Sequence, residues 1–98
     1  MYAVIFRAAT RSQDEEYVRT VKHMRELAIS RYGCLDFVAV TEENQEIAIS
    51  YWRDEESIHR WKQDAAHRIA QELGKSKWYE SYSVEVVEIK RHYRYPEK

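Results

Sequence analysis

The side chains of this sequence that can do chemistry are few, and they concentrate in its second half. His67 is the strongest of them. An imidazole titrates near ~6.5 and can take a proton from a phenol at neutral pH. Around it stand Trp52, Trp61, Trp78, Tyr79 and Tyr82. Large rings of this kind can wall a flat apolar pocket between a sheet and its helices. Each assignment has a plainer competitor. A histidine on a helix is more often a surface or hydrogen-bonding residue. Tryptophans in a small domain are more often core, Trp61 above all, because it falls on an apolar stripe. Spacing bears on His67 as well. At about 100° per residue, His67 lies roughly opposite Ile58 on an unbroken helix and points away from a sheet. It turns inward only if the helix breaks between Gln63 and Ala66. Asp64 favours a break, because a short acidic side chain competes for local backbone hydrogen bonds and starts new helical turns. Ala65 and Ala66 favour continuity.

Other chemistries find little support. Two glycines cannot make a phosphate-cradling loop, so no nucleotide cofactor is expected. His59 neighbours the apolar stripe, His23 sits on the first helix and His92 near the C-terminus. No carboxylate–histidine spacing turns them into a zinc site, and no metal is expected. Cys34 lacks a nucleophile's partners and reads as a small buried hydrophobe. A lone thiol makes no disulfide within the chain and suits a reducing compartment. The net charge is −1 and its signs are interleaved. That gives no clustered basic face for nucleic acid. The basic run Lys90–Arg94 is short and broken by Tyr93. No apolar stretch approaches the ~20 residues that span a bilayer. Arg7 and Arg11 interrupt the early apolar run that a secretion signal needs. The expectation is a cytoplasmic protein with no nucleic-acid or membrane partner.

These residues need a scaffold. Ninety-eight residues suit one domain, 1–98, with 93–98 as a C-terminal tail. YAVIFRA (Tyr2–Ala8) is β-branched and aromatic and reads as a strand. Thr10, Ser12 and Asp14 are candidate caps for a helix in which Tyr17, Val21, Met24 and Ala28 share a face. That helix should run to about Ser30, and Gly33 should stop it. Cys34–Thr41 and Glu46–Trp52 read as a hairpin around the polar turn Glu42–Gln45. Asp54 can cap a second helix with the stripe Ile58, Trp61, Ala65, Ile69 and Leu73, which Gly74 should end. Lys75–Tyr82 reads as a basic-aromatic connection and Ser83–Arg91 as the last strand. The order β-α-β-β-α-β predicts an α+β ferredoxin-like fold: a four-stranded antiparallel sheet with two helices on one face.

The strands are apolar on both faces. Val4 and Phe6 alternate with Ala3 and Ile5, Phe37 with Val38, and Ala48 with Ile47 and Ile49. Two helices cover one face. The other would leave an apolar patch larger than a stable monomer shows. A second copy packed on that face removes the exposure. The expectation is a homodimer through the sheet face, with the last strand or the Tyr93–Tyr95 tail reaching the partner.

The second half also carries a family resemblance. Its marks are ISYW (Ile49–Trp52), the acidic helix start Asp54–Glu55–Glu56, Ile58, Trp61, His67 and the run Ala70–Gln71 to Gly74. WYESY (Trp78–Tyr82) and VEVVEIKRHY (Val84–Tyr93) complete them. These residues resemble the antibiotic biosynthesis monooxygenase (ABM) family, and look closest to an uncharacterised bacterial subgroup. The first half matches in pattern: a strand, a long helix, and GCLDF entering the second strand. The resemblance implies a dimeric α+β barrel. It implies a small-molecule monooxygenase acting on an aromatic or quinol-like substrate without a cofactor, with His67 as base or hydrogen-bond donor. The family's heme-degrading members make heme, with His67 as axial ligand, the alternative cofactor. A dimeric binding or stress-response module without turnover is the alternative of another class. A core with no cavity would favour it.

Overall fold

The computed structural model describes residues 1–97. The chain forms β1 (Tyr2–Thr10), α1 (Glu15–Tyr32), β2 (Asp36–Glu42), β3 (Gln45–Trp52), α2 (Glu55–Gln63) and α3 (Ala65–Leu73). A π-helical turn (Gly74–Trp78) then leads into β4 (Tyr79–Glu88). The strands make one antiparallel sheet in the order β2-β3-β1-β4. The α+β ferredoxin-like architecture expected from the sequence is therefore the one observed, with the second helix in two pieces.

Register explains which side chains share a face. Val4 lies opposite Ser50 and Val86, and Phe6 opposite Ala48 and Val84. Phe37 of β2 lies opposite Ser50. These residues face the helices. Val4, Phe37, Ala48 and Trp52 join Ala28 of α1 and Ile58 and Trp61 of α2 in the buried core. The opposite parity carries Val38, Ile49 and Ile5 in one cross-strand row. No helix packs there among the described residues, and Val38 and Val40 are 50% and 60% exposed.

Capping fixes the helix ends. Asp14 accepts from the Tyr17 N–H at 2.8 Å and Asp54 from the Ser57 N–H at 2.8 Å. Both fill orphan donors of a first turn. Gly33 ends α1 with φ 76, a left-handed conformation that glycine adopts without a Cβ penalty. The Cys34 N–H then donates back to the Ala28 carbonyl, so Cys34 belongs to the helix end and β2 begins at Asp36, later than its apolar pattern suggests.

Two boundaries differ more. Lys75–Tyr82 is not a free connection. Its first part is the π-helical turn, and Tyr79, Ser81 and Tyr82 already pair with Thr10, Ala9 and Ala8 of β1. Gly74 is not a stop either. It keeps right-handed helical angles, φ −58 and ψ −49, and carries the chain into the π turn. The expected tail 93–98 includes Lys98, which lies outside the described residues. No helix among the described residues is long and apolar enough to cross a membrane.

Candidate active site

The second helix breaks at Asp64. This residue adopts extended angles, φ −61 and ψ 136. Its Oδ1 accepts from the Ala66 N–H at 2.8 Å and caps α3. Its Oδ2 accepts from the Tyr32 hydroxyl of α1 at 2.5 Å. That contact ties the break to the neighbouring helix and draws the Asp64 carboxyl below its ordinary pKa. The break rotates everything that follows. The stripe expected to continue through Ala65 and Ile69 ends at Trp61, and Ile69 is 62% exposed. His67, Ala70 and Gln71 turn inward instead.

They turn into a cavity of about 130 Å³ between the sheet and the helices. Val4, Phe6 and Ala48 present its sheet side, Val21 and Met24 come from α1, and Trp61 from α2. Four of the five rings singled out in the sequence line it: Trp61, Trp78, Tyr79 and Tyr82. Trp52 does not reach it. Strand parity places Trp52 inward, but at the end of β3 beside the start of α2. It is wholly buried behind Trp61, with ring centroids 5.2 Å apart, and its Nε1 donates to the Ser50 hydroxyl at 2.8 Å. Trp52 is core, and it backs the wall that Trp61 presents.

The rings hold one another in place. Tyr79 meets Phe6 and Tyr82 at 5.4 and 5.9 Å, and Trp78 meets Tyr17 of α1 at 5.7 Å. Edge-to-face pairs at these separations are favourable arrangements. The approach of Tyr79 depends on Gly74. A Cβ at Gly74 would stand 2.7 Å from Cδ2 of the Tyr79 ring. The backbones of Arg11 and Ser12 secure the same segment by donating to the Trp78 carbonyl. Lys77 adds ion pairs at 3.2 Å to Asp14 and Glu16 at the start of α1.

The cavity's polar groups are sparse. The His67 ring packs on Trp61, and its Nδ1 is buried without a hydrogen-bond partner among the described residues. The Nε1 atoms of Trp61 and Trp78 are in the same condition. Burial, assisted by the nearby Lys62 charge, lowers the His67 pKa to about 4, against a weaker opposing pull from Asp64. The imidazole is thus neutral at pH 7, with one ring nitrogen able to donate a hydrogen bond and the other to accept one.

Glu46 is a lining residue that the sequence reading passed over. It sits on β3, 4% exposed. The Tyr79 hydroxyl donates to its Oε1 at 3.4 Å. Burial raises the Glu46 carboxyl to about 7, a shift that the Tyr79 hydrogen bond partly offsets. Burial also pushes the Tyr79 hydroxyl up, and the facing Glu46 charge adds to that. A signal for Glu46 exists in the sequence. In EIAISYW it shares strand parity with Ala48, Ser50 and Trp52, all inward. Cys34 is buried as expected. Its Sγ lies 3.1 Å from the Asp36 carbonyl, and burial pushes the thiol up. Among the described residues no group of three metal-ligating side chains converges.

A four-stranded antiparallel sheet with helices on one face and an apolar aromatic cavity between them defines an α+β ferredoxin-like domain, and the comparisons with known proteins point to the same class. Residues 1–73 match the model of the antibiotic biosynthesis monooxygenase family, and the chain belongs to that family. It is 37% identical over 91 residues to the uncharacterised protein YqjZ of Bacillus subtilis, covering 92% of this chain and 80% of that one. It is 30% identical over 93 residues to a jasmonate monooxygenase of Pyricularia oryzae, and spans 43% of that longer protein. The fold superposes on SnoaB, a cofactor-independent oxygenase from Streptomyces nogalater, with TM-score 0.78 and 11% identity over 93% of this chain and 94% of that one. At that identity the likeness shows the fold.

Proposed function

We propose that this protein is a monooxygenase of a small aromatic alcohol or quinol, working without a cofactor in the cavity beneath α3. The observation that carries the reading is the inward turn of His67. It sets a neutral imidazole, with an unpartnered nitrogen, among Trp61, Trp78 and Tyr82. A buried polar atom without a partner costs about 1–3 kcal/mol. A substrate hydroxyl bound there removes that cost while its ring stacks on the aromatic wall. An apolar cavity of about 150 Å³ admits benzene, so about 130 Å³ suits one aromatic ring. Oxygenation of such a substrate needs an electron-rich anion and a dry site, and this wall supplies the second.

In this reading the working unit is a homodimer built on the helix-free sheet face. The row Val38–Ile49–Ile5 supports that assembly.

The heme alternative fits poorly. A macrocycle several times wider than one aromatic ring exceeds a cavity of about 130 Å³. The test is dioxygen uptake with hydroquinone and naphthol, for the wild-type chain and His67→Ala. Uptake that falls at least about tenfold in His67→Ala supports the reading. No uptake together with no binding of either compound overturns it. Hemin titration giving a Soret band that His67→Ala abolishes would favour the heme alternative instead.

A further inference from the structure

Glu46 is unusual for a carboxyl group. It is 4% exposed, faces an apolar cavity, and pairs with no Lys, Arg or His among the described residues. Its polar contact is the long one from the Tyr79 hydroxyl. Buried carboxyls that serve structure are normally paired or multiply hydrogen-bonded. An under-satisfied one at a cavity wall is more costly than a glutamine there, which points to use.

We propose that Glu46 is the proton acceptor of this cavity, taking the hydroxyl proton of a neutral hydroxyarene seated against Trp61 and Trp78, while Tyr79 orients its carboxylate. The assignment rests on reading the cavity as an aromatic-alcohol site. The step balances. The substrate O–H bond breaks heterolytically, and its electron pair stays on the arenolate oxygen. The proton forms a new O–H bond on the Glu46 carboxylate. Nothing is oxidised until dioxygen meets the arenolate.

The titratable groups facing the site divide the work. His67, from α3, has a pKa of about 4, so it holds a proton too weakly to take one from a phenol near pH 7. Tyr79 stays protonated, because its pKa is pushed upward. Tyr82 lines the same cavity, and Arg7 of β1 shares a second pocket with Glu46 and Tyr82 without pairing to either. Glu46, near 7, matches the condition under which a general base works best. His67 is then left to position the substrate oxygen by donating the one N–H of its neutral ring to it.

The test uses para-fluorophenol, followed by fluorine NMR. Its own hydroxyl ionises well above neutral pH, and its shift reports binding and ionisation together. In the wild-type protein its affinity should fall about tenfold between about pH 8 and about pH 6, as Glu46 takes up solvent protons. In Glu46→Gln the affinity should be flat over that window. His67 does not titrate there, so the limb belongs to Glu46. Glutamine is isosteric and removes a buried charge, so folding is not at risk. Parallel pH profiles for the two proteins overturn the assignment. Failure of both to bind overturns it together with the cavity reading. A wild-type limb without dioxygen uptake on any hydroxyarene keeps Glu46 as acceptor and sinks the oxygenase reading alone.

Discussion

The His67 imidazole packs edge-on against the Trp61 indole, with ring centroids 4.4 Å apart and planes inclined by 65°. Five residues separate the two in sequence, and on an unbroken helix they would point well away from each other. Asp64 brings them together by ending one helix and capping the next. The site therefore depends on a residue that itself lies outside the cavity lining.

Asp64→Ala removes a cap and an interhelical hydrogen bond at once. The cap alone is worth about 1 kcal/mol. Urea unfolding should show a loss of about 1–3 kcal/mol. Para-fluorophenol affinity should fall as well, because α3 can rejoin α2 and carry His67 outward. Tyr32→Phe breaks the interhelical bond and keeps the cap. It should cost about 1 kcal/mol and leave affinity within about twofold. Equal affinity losses in both variants would show that the cap does not place His67.

Gly74→Ala places a methyl group against the Tyr79 ring. The backbone angles are ordinary, so strain is not the issue. The ring must move, and with it the hydroxyl that meets Glu46. Overpacking of this kind costs about 1–3 kcal/mol. In a Tyr79→Ala background the same substitution should cost less than about 0.5 kcal/mol, because the clash has gone. Additive losses in the double variant would refute the contact.

Much of this arrangement was legible beforehand. Hydrophobic alternation revealed the sheet, and Asp14 and Asp54 announced their helices. The sequence left the helix break undecided, because Asp64 argued for it and Ala65–Ala66 against. The deciding contact, from Tyr32, lies 32 residues away and is invisible to a local pattern. Ile69 falls on the expected stripe and is nevertheless exposed for the same reason. Gly74 looked like a stop because its role is to admit Tyr79, a contact that exists only once the π turn forms. Trp52 was parity-inward, but parity cannot say whether an inward ring meets a cavity or another ring. Glu46 is hard to find in the sequence because a charged residue at a strand's start reads as solvent-facing, although its parity with Ala48 and Ser50 is inward.

The helix-free face carries Val38, Ile49 and Ile5 side by side across three strands. A homodimer on this face should run in light scattering at twice the chain mass. Ile49→Glu would put two charges in the middle of such an interface and should give a monomer. A wild-type monomer at micromolar concentration contradicts the proposed dimer.

Glu46 and His67 pull the pH dependence of stability in opposite directions. The Glu46 carboxyl is raised from its ordinary 4.5 to about 7. Between those values the folded chain holds a proton that the unfolded chain has released. Its contribution is therefore complete below about 4.5 and is lost as pH rises through about 7. His67 is lowered from 6.5 to about 4, so the unfolded chain binds the extra proton in that window. Its contribution is present above 6.5 and lost as pH falls through about 4. Each amounts to about 3 kcal/mol. Between about 4.5 and 6.5 the two slopes nearly cancel. Glu46→Gln removes one of them. The variant should be more stable than wild type at about pH 8, and its stability should fall visibly from about pH 6.5 to about pH 4.5, where the wild-type curve stays flatter. Urea midpoints at several pH values measure both chains. Curves that run parallel across the whole range would mean that Glu46 keeps an ordinary carboxylate pKa in the folded protein.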